Sequence, residues 1–467
     1  MDLSPQAQSL AVILVAVVVL WITEALPLAV TALAGAAACV VAGVAPAREV
    51  FAPFADPLIF LFIGSFLLAE GIRLHRLDKR LAFAVLSLPG VGERPGRIRA
   101  AVAVVCIVAS GFLSNTCTTA MMLAIVSGII AAVEEAANRS GRPPAAGFAT
   151  GLLLCVAFAS SLGGLATPIG TPPNLIGLGF IRNQLGVEIS FPGWCGIGLP
   201  VVALLGCFTV LLLGRMFPAG VSRLEGVRDF VAAERARLGG WTTGQRSTAA
   251  AFAVTVVLWI VPGILQAALG TDDPTARFVK GRMPEGVAAL VGAVLLFVLP
   301  GGEAGKPWRP ALLWTEARID WGIVLLYGGG MALGTLCFST GLAATLGESI
   351  QGLVPGGRAG PPVLIALAAA VAVLTSEFTS NTASANIVVP VAIALGTATG
   401  GDPLVTALAA TFAASLGFMM PVSTPCNAIV YGTGRIPLRS MMAAGLLLDL
   451  AGIAVITAAM LVVSRLG

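Results

Sequence analysis

The sequence predicts an all-α polytopic membrane protein made of two inverted five-helix repeats, each with a re-entrant hairpin and a broken helix. Three observations predict it. Apolar residues fill 57% of the 467 positions and charged residues only 11%, with a mean hydropathy of +0.96; so few polar side chains do not cover a soluble protein of this length. Apolar runs of about 20 residues, the length that spans a bilayer, recur from Ala7 to Val463. Four short motifs recur in the same order in the two halves.

Crossing helices are expected near 7–22, 27–45, 54–70, 147–180, 194–214, 248–268, 285–300, 321–346, 403–433 and 441–463. The first run lacks a basic leader and a cleavage site and reads as a retained helix. The longest polar stretch, 215–247, reads as a loop. The stretches 100–133 and 362–398 differ from the rest. Each places its most polar tripeptide at its centre, Ser114-Asn115-Thr116 and Ser380-Asn381-Thr382. A hairpin that enters and leaves on one side puts such a cluster at its tip, where irregular backbone lines a protein-buried or watery cavity. With both stretches as hairpins, 20 of the 27 Lys and Arg residues fall on 71–99, 134–146, 215–247, 301–320 and 434–440. Positive charge collects in the cytoplasm, so the N-terminus is placed outside. Arg73, Arg76, Lys79 and Arg80 beside Leu81, Phe83, Val85 and Leu86 read as an amphipathic helix on the inner interface, its arginines anchoring it to lipid.

The repeat is read from four anchors. Ala32–Ala36 recurs at Ala289–Ala293, and Asp56 with Ile59–Gly64 recurs as Asp320 with Ile323–Gly328. Ser114-Asn115-Thr116 recurs at 380–382, and Thr171-Pro172-Pro173-Asn174 recurs as Thr424-Pro425-Cys426-Asn427. Five crossings per half, an odd number, turn the second half upside down, the arrangement of secondary transporters.

The same motifs carry the chemistry. Proline removes a backbone donor and bars the preceding residue from the α conformation, so a helix unwinds at Thr171 and at Thr424. The freed carbonyls can ligate a cation, and the freed N–H groups attract an anion. No Lys or Arg lies between Arg99 and Arg139, between Arg142 and Arg182, or between Arg358 and Arg435. An anion held there has no basic partner, and bound cations are the simplest substitute. Ser and Thr in membrane helices often only bond to backbone; four motifs in symmetric order favour a binding site.

Other classes find less support. Eight scattered cysteines without a CxxC pair suggest neither disulfides nor a metal cluster. The single histidine, His75, excludes histidine zinc sites and histidine proton relays. A membrane enzyme lacks its nucleophile and base, and paired hairpins in inverted halves speak against an open channel. Gly328-Gly329-Gly330 reads as close helix packing. Glu377, three residues before Ser380, reads equally as functional or as a structural hydrogen-bonding group. Glu24 and Glu285 read as structural.

These residues resemble the divalent anion/sodium symporter family along essentially the whole chain. The most specific match is Ala414-Ser415-x-x-Phe418-x-x-Pro421-Val422-Ser423-x-x-x-Asn427-x-Ile429-Val430, supported by Trp21–Pro27 and both Ser-Asn-Thr motifs. The resemblance implies a bacterial inner-membrane homodimer that carries di- or tricarboxylate anions (succinate, malate, fumarate or citrate) together with sodium ions. It implies an elevator, with scaffold segments 1–99 and 193–361, transport segments 100–192 and 362–440, and a terminal helix 441–467. One sodium site would use Ser110, Ser114, Asn115 and Gly170, the other Ser376, Ser380, Asn381 and Ser423, the last through its main-chain carbonyl. Substrate carboxylates would meet Asn115, Thr116, Thr171, Asn381, Thr382 and Thr424. A sodium-independent dicarboxylate exchanger and a carrier of sulfate or another divalent anion are the alternatives. Many relatives carry a further helix before Trp21–Pro27, a departure that leaves the site untouched.

Overall fold

A computed structural model describes residues 3–140, 146–270, 272–302, 307–345, 349 and 360–466. Apart from one bridge between Pro300 and Pro310, the regular structure among the described residues is helical.

The first half begins with α1 (Pro5–Thr23), α2 (Leu28–Val41) and the short α3 (Ala47–Phe51). Asp56 then accepts from Leu58 N at 2.8 Å and caps α4 (Pro57–Leu74). The amphipathic α5 (Leu77–Leu86) leads to α6 (Pro95–Ser110) and α7 (Asn115–Arg139), followed by α8 (Ala146–Gly163), α9 (Pro172–Leu185) and α10 (Phe191–Met216). After α11 (Val227–Arg237), the second half runs through α12 (Thr243–Leu269), α13 (Pro274–Arg282), α14 (Glu285–Val298) and α15 (Trp321–Ser339). It continues with α16 (Pro361–Phe378), α17 (Asn381–Ala398), α18 (Pro403–Ala413), α19 (Pro425–Tyr431) and α20 (Leu438–Leu466). Nine described helices are long and apolar enough to cross a membrane, or ten if α13 and α14, bent by 55°, form one span. Three of the nine, α7, α16 and α17, are arms of the two expected hairpins.

Several boundaries differ from expectation. The segment 71–99 is not one interfacial helix: Pro89-Gly90 and Pro95-Gly96 end α5 and start α6 five residues before position 100. Arg80 is not a free lipid anchor, because its guanidinium donates to the carbonyls of Leu238, Gly239 and Gly240 and stacks 5.1 Å from the Trp241 ring. The 215–247 loop contains α11. The crossing expected at 321–346 ends as α15 at Ser339; its last residue and the reference positions Arg142 and Arg358 lie outside the described residues.

The two halves pack reciprocally. α4 lies against α14, and α15 lies against α2. A methyl group at Gly64 would sit 2.6 Å from Ala289, and one at Gly329 would sit 2.6 Å from the Ala32 methyl. Ala32 and Ala289 occupy matching repeat positions, so each half buries its own helix in the other's groove. Two bends match as well: Trp21 Nε1 donates to Leu28 O at 3.2 Å, and Trp259 Nε1 donates to Glu285 O at 3.0 Å. The glycine run is packing, with Gly328 against Phe54 and Gly330 against Asn386.

Candidate functional site

In both halves the Ser-Asn-Thr motif starts a helix. Ser114 takes φ −60°, ψ 142°, and its hydroxyl accepts from Cys117 N at 3.2 Å to cap α7. Ser380 does the same for α17, accepting from Ala383 N at 3.1 Å. A serine cap satisfies one of the orphan N–H groups of the first turn. The helices before them end at Ser110 and Phe378. One turn back from each tip a second serine reaches across: Ser110 Oγ donates to Asn115 Oδ1 at 2.6 Å, and Ser376 Oγ to Asn381 Oδ1 at 2.7 Å. Ser376 Oγ also lies 2.9 Å from Ala414 O.

The Thr-Pro-x-Asn motifs rebuild the chain after each broken helix. α8 stops at Gly163, and the backbone wanders until Thr171, extended at φ −150°, ψ 144°, starts α9 at Pro172. α18 stops at Ala413, and Thr424, at φ −142°, ψ 149°, starts α19 at Pro425. One buried asparagine then holds each irregular loop. Asn174 Nδ2 donates to Gly164 O and to Thr167 O, both at 2.8 Å. Asn427 Nδ2 donates to Gly417 O at 3.1 Å and to Met420 O at 3.0 Å. In each half the acceptors lie ten and seven residues back. Both side chains are fully buried, and both Oδ1 atoms lack a hydrogen-bond partner.

Each tip meets its own break. A methyl group at Gly164 would lie 2.6 Å from Asn115 Oδ1 and 3.0 Å from Thr171 Cβ, and one at Gly170 would lie 2.5 Å from Gly164 O. Glycine at 164 and 170 is therefore what lets the first break close on Asn115. In the second half Asn381 Nδ2 reaches Ser415 O at 3.5 Å. The halves also meet each other: Phe158 and Phe418 lie edge to face at 5.1 Å, and Trp194 stacks on Phe412 at 4.5 Å. α7 and α8 both pack against α19. A cavity of about 850 Å³ between α4, α9 and α12–α14 reaches Pro168 in the first break.

The structure thus brings Ser110, Asn115, Gly170 and Thr171 together in one half, and Ser376, Asn381 and Ser423 in the other. Thr116 is exposed and Thr382 half-buried, and neither hydroxyl is hydrogen-bonded to another of the described residues. Thr424 spends its oxygen on its own helix, accepting from Asn427 N at 3.1 Å. The donor set is neutral oxygen: hydroxyl, amide and main-chain carbonyl. Among the described residues no cluster of His, Cys, Asp and Glu suits a transition metal. A hard monovalent cation fits such a set, because carbonyl, amide and hydroxyl oxygens suit hard ions and thiolates suit soft ones.

Sequence reasoning left Glu377 open and passed over Asn174 and Asn427 as site residues. Glu377, only 3% exposed, has a supporting place. Its Oε1 accepts from Met419 N at 2.8 Å, and its Oε2 accepts from Met420 N at 3.2 Å and from Ser423 Oγ at 2.5 Å. The carboxylate straps the second break to α16. It also occupies the Ser423 hydroxyl. In the first half the corresponding position is Gly111, whose carbonyl accepts from the Thr167 hydroxyl. A second buried carboxyl, Asp449 in α20, lies beside Glu377.

A sequence model of the sodium:sulfate symporter transmembrane region matches residues 1–465. A sodium-dependent dicarboxylate transporter of Staphylococcus saprophyticus is 32% identical over 439 residues, covering 93% of this chain and 82% of its own length. A transporter of the same description from Staphylococcus aureus is 30% identical over 433 residues, covering 92% and 81%. Two solved structures share the fold at lower identity. The YdaH transporter of Alcanivorax borkumensis is 15% identical with a TM-score of 0.57, over 88% of this chain and 85% of its own. MtrF of Neisseria gonorrhoeae is 13% identical with a TM-score of 0.59, over 88% and 82%.

Proposed function

The chain belongs to the sodium:sulfate symporter family, and from that premise we propose that it is a sodium-coupled importer of C4-dicarboxylates or citrate in a bacterial inner membrane. It is a transporter, not an enzyme. The observation that carries the substrate reading is the doubled arrangement of a serine-asparagine tip and an asparagine-held break, built from neutral oxygens. A dicarboxylate bound there meets amides, hydroxyls and helix N-termini, and its charge is balanced by sodium.

In this reading Ser110, Ser114, Asn115 and Gly170 hold one sodium ion, and Ser376, Ser380, Asn381 and Ser423 hold another. Asn115, Thr116, Thr171, Asn381, Thr382 and Thr424 face the carboxylates. Sodium supplies positive charge when bound; the tips supply direction and the breaks supply carbonyls. The two halves are inverted repeats, supported by their reciprocal packing, since a two-fold relation requires contacts to be returned. α6–α7 and α16–α17 are re-entrant hairpins. Segments 100–192 and 362–440 move together as an elevator against 1–99 and 193–361, in a homodimer in which the terminal segment 441–467, formed mostly by α20, closes each subunit.

Succinate uptake into proteoliposomes should rise with external sodium and stay at background in choline or potassium. Equal uptake in all three salts would leave the sodium-independent exchanger as the better account. Sulfate that competes as well as succinate would move the substrate class.

A further inference from the structure

The motif Thr171-Pro172-Pro173-Asn174 extends to an arginine eight residues on, Arg182, and its repeat extends by the same count from Asn427 to Arg435. Their surroundings differ. Arg182, in the last turn of α9, is paired with Asp56, the residue that caps α4. The pair is largely buried, with 24% of the arginine and 8% of the aspartate side chain exposed. It joins the broken helix to a scaffold helix where α9 also packs on α15, through Gly179 against Tyr327 and Phe180 against Gly334. The repeat position of Asp56 is Asp320, which likewise caps its helix, accepting from Ile323 N at 3.1 Å. Asp320 is exposed and carries no ion pair among the described residues. Arg435 is instead bound twice by Glu134 of α7, at 2.6 and 3.4 Å. Both partners of that second pair lie in the transport segments.

We propose that Arg182 and Arg435 are positioning residues that exchange partners as the site changes sides. In the conformation described here Arg182 holds Asp56 while Arg435 is parked on Glu134. In the opposite conformation Arg435 holds Asp320 and Asp56 is released. The proposal rests on the inverted-repeat reading above. When two inverted halves carry the chain between two states, a contact made by one half in the first state is made by the other half in the second. An aspartate and an arginine at equivalent positions in both halves, paired in one and unpaired in the other, are what such an exchange leaves behind in a single state. Each pair then stabilises one end of the cycle, and near-equal pairs keep both ends populated.

The test uses cysteine pairs at 56/182 and at 320/435, in full-length protein lacking the eight native cysteines and reconstituted in liposomes. Short bifunctional thiol reagents bridge the pairs, and peptide mass spectrometry reads the bridges. Each pair alone should cross-link. A four-cysteine protein should form one bridge or the other in any molecule. Asp56→Asn in the 320/435 protein should raise its cross-linking roughly tenfold, because an arginine left without its partner in a largely buried place is costly. The swapped variant Asp56→Arg with Arg182→Asp should restore the original yield, separating a shifted equilibrium from a damaged fold. A 320/435 pair that never bridges while 56/182 does, both bridges in one molecule, or a yield indifferent to Asp56→Asn overturns the exchange. Sodium-driven succinate uptake by the parent chain is measured alongside. Its loss with exchange intact counts against the substrate reading, and exclusive failure of the cross-links counts against the exchange.

Discussion

Replacing Asn427 by Asp changes one atom at the centre of the second break. The amide nitrogen it removes donates to Gly417 O at 3.1 Å and to Met420 O at 3.0 Å, inside a fully buried site. A protonated aspartic acid has one O–H, enough for one of these carbonyls. An ionised one has none, and sets an anionic oxygen against two carbonyl oxygens. At least one buried carbonyl is therefore stranded, at a cost of about 1–3 kcal/mol. If the break's geometry holds sodium and substrate, a cost of that size lowers apparent affinity by about 5- to 150-fold. Sodium-dependent succinate uptake in proteoliposomes measures it, with the exposed Asn183→Asp variant as the control expected to behave as the parent. Size-exclusion chromatography establishes that the variant is folded. Asn174→Asp should cost a similar amount, because its two bonds, at 2.8 Å each, repeat the same arrangement. A folded Asn427→Asp protein with the parent's sodium and succinate affinities would show that these loops are scaffolding and that binding lies elsewhere.

Asn115→Ala and Asn381→Ala should each lower apparent substrate affinity roughly tenfold or more while leaving a folded protein; normal uptake kinetics in either would remove that tip from the site. Ser423→Ala should keep sodium affinity within about threefold but lower thermal stability by about 1–3 kcal/mol, because Glu377 loses one of three donors; a large loss of sodium affinity would make the hydroxyl itself a ligand. Single cysteines at the exposed positions Arg97 and Asp402 and at the half-buried Glu134, in a cysteine-free background, should label from opposite faces. An impermeant reagent outside intact cells should reach 402 and miss 97 and 134, and labelling of 97 and 134 from different sides would make α6–α7 a crossing.

What the sequence shows in advance is whatever depends on neighbours in the chain. Thr171 and Thr424 announce their breaks because each precedes a proline, and Ser114 and Ser380 announce helix starts because a serine cap bonds three residues on. The repeat is legible for the same reason, since its anchors are short contiguous motifs. What stayed hidden depends on chain segments brought together from far apart. Glu377 sits three residues from a recognised motif, yet its partners Met419, Met420 and Ser423 lie more than forty residues on. Asp449, the only charge in the last apolar run, is a signal that the sequence carries on its own. α11 and α13 escaped because they are short and polar, so no apolar run marks them. Arg80 reads as a lipid anchor in the sequence because its partners, three consecutive carbonyls at 238–240, lie 158 to 160 residues away.

On the proposed function, the breaks also account for how a dianion would be held without a basic side chain. Four helices end at the tips and breaks, α6, α8, α16 and α18, and four begin there, α7, α9, α17 and α19. An exposed helix end carries about half an elementary charge, negative at the C-terminus and positive at the N-terminus. In the proposed function, four C-termini amount to about two negative charges, which two sodium ions would offset, and four N-termini amount to about two positive charges, which a dicarboxylate would offset. The seven-residue α19 contributes least to this balance. Without sodium, the C-terminal ends would be left uncompensated in the proposed site. The same backbone that attracts the substrate then repels it. Under the proposed function, and with the Glu377 carboxylate adding to the negative side of the second break, sodium binding would precede or accompany substrate binding. A lysine or arginine placed in the site would break this dependence, because its charge cannot leave when sodium does.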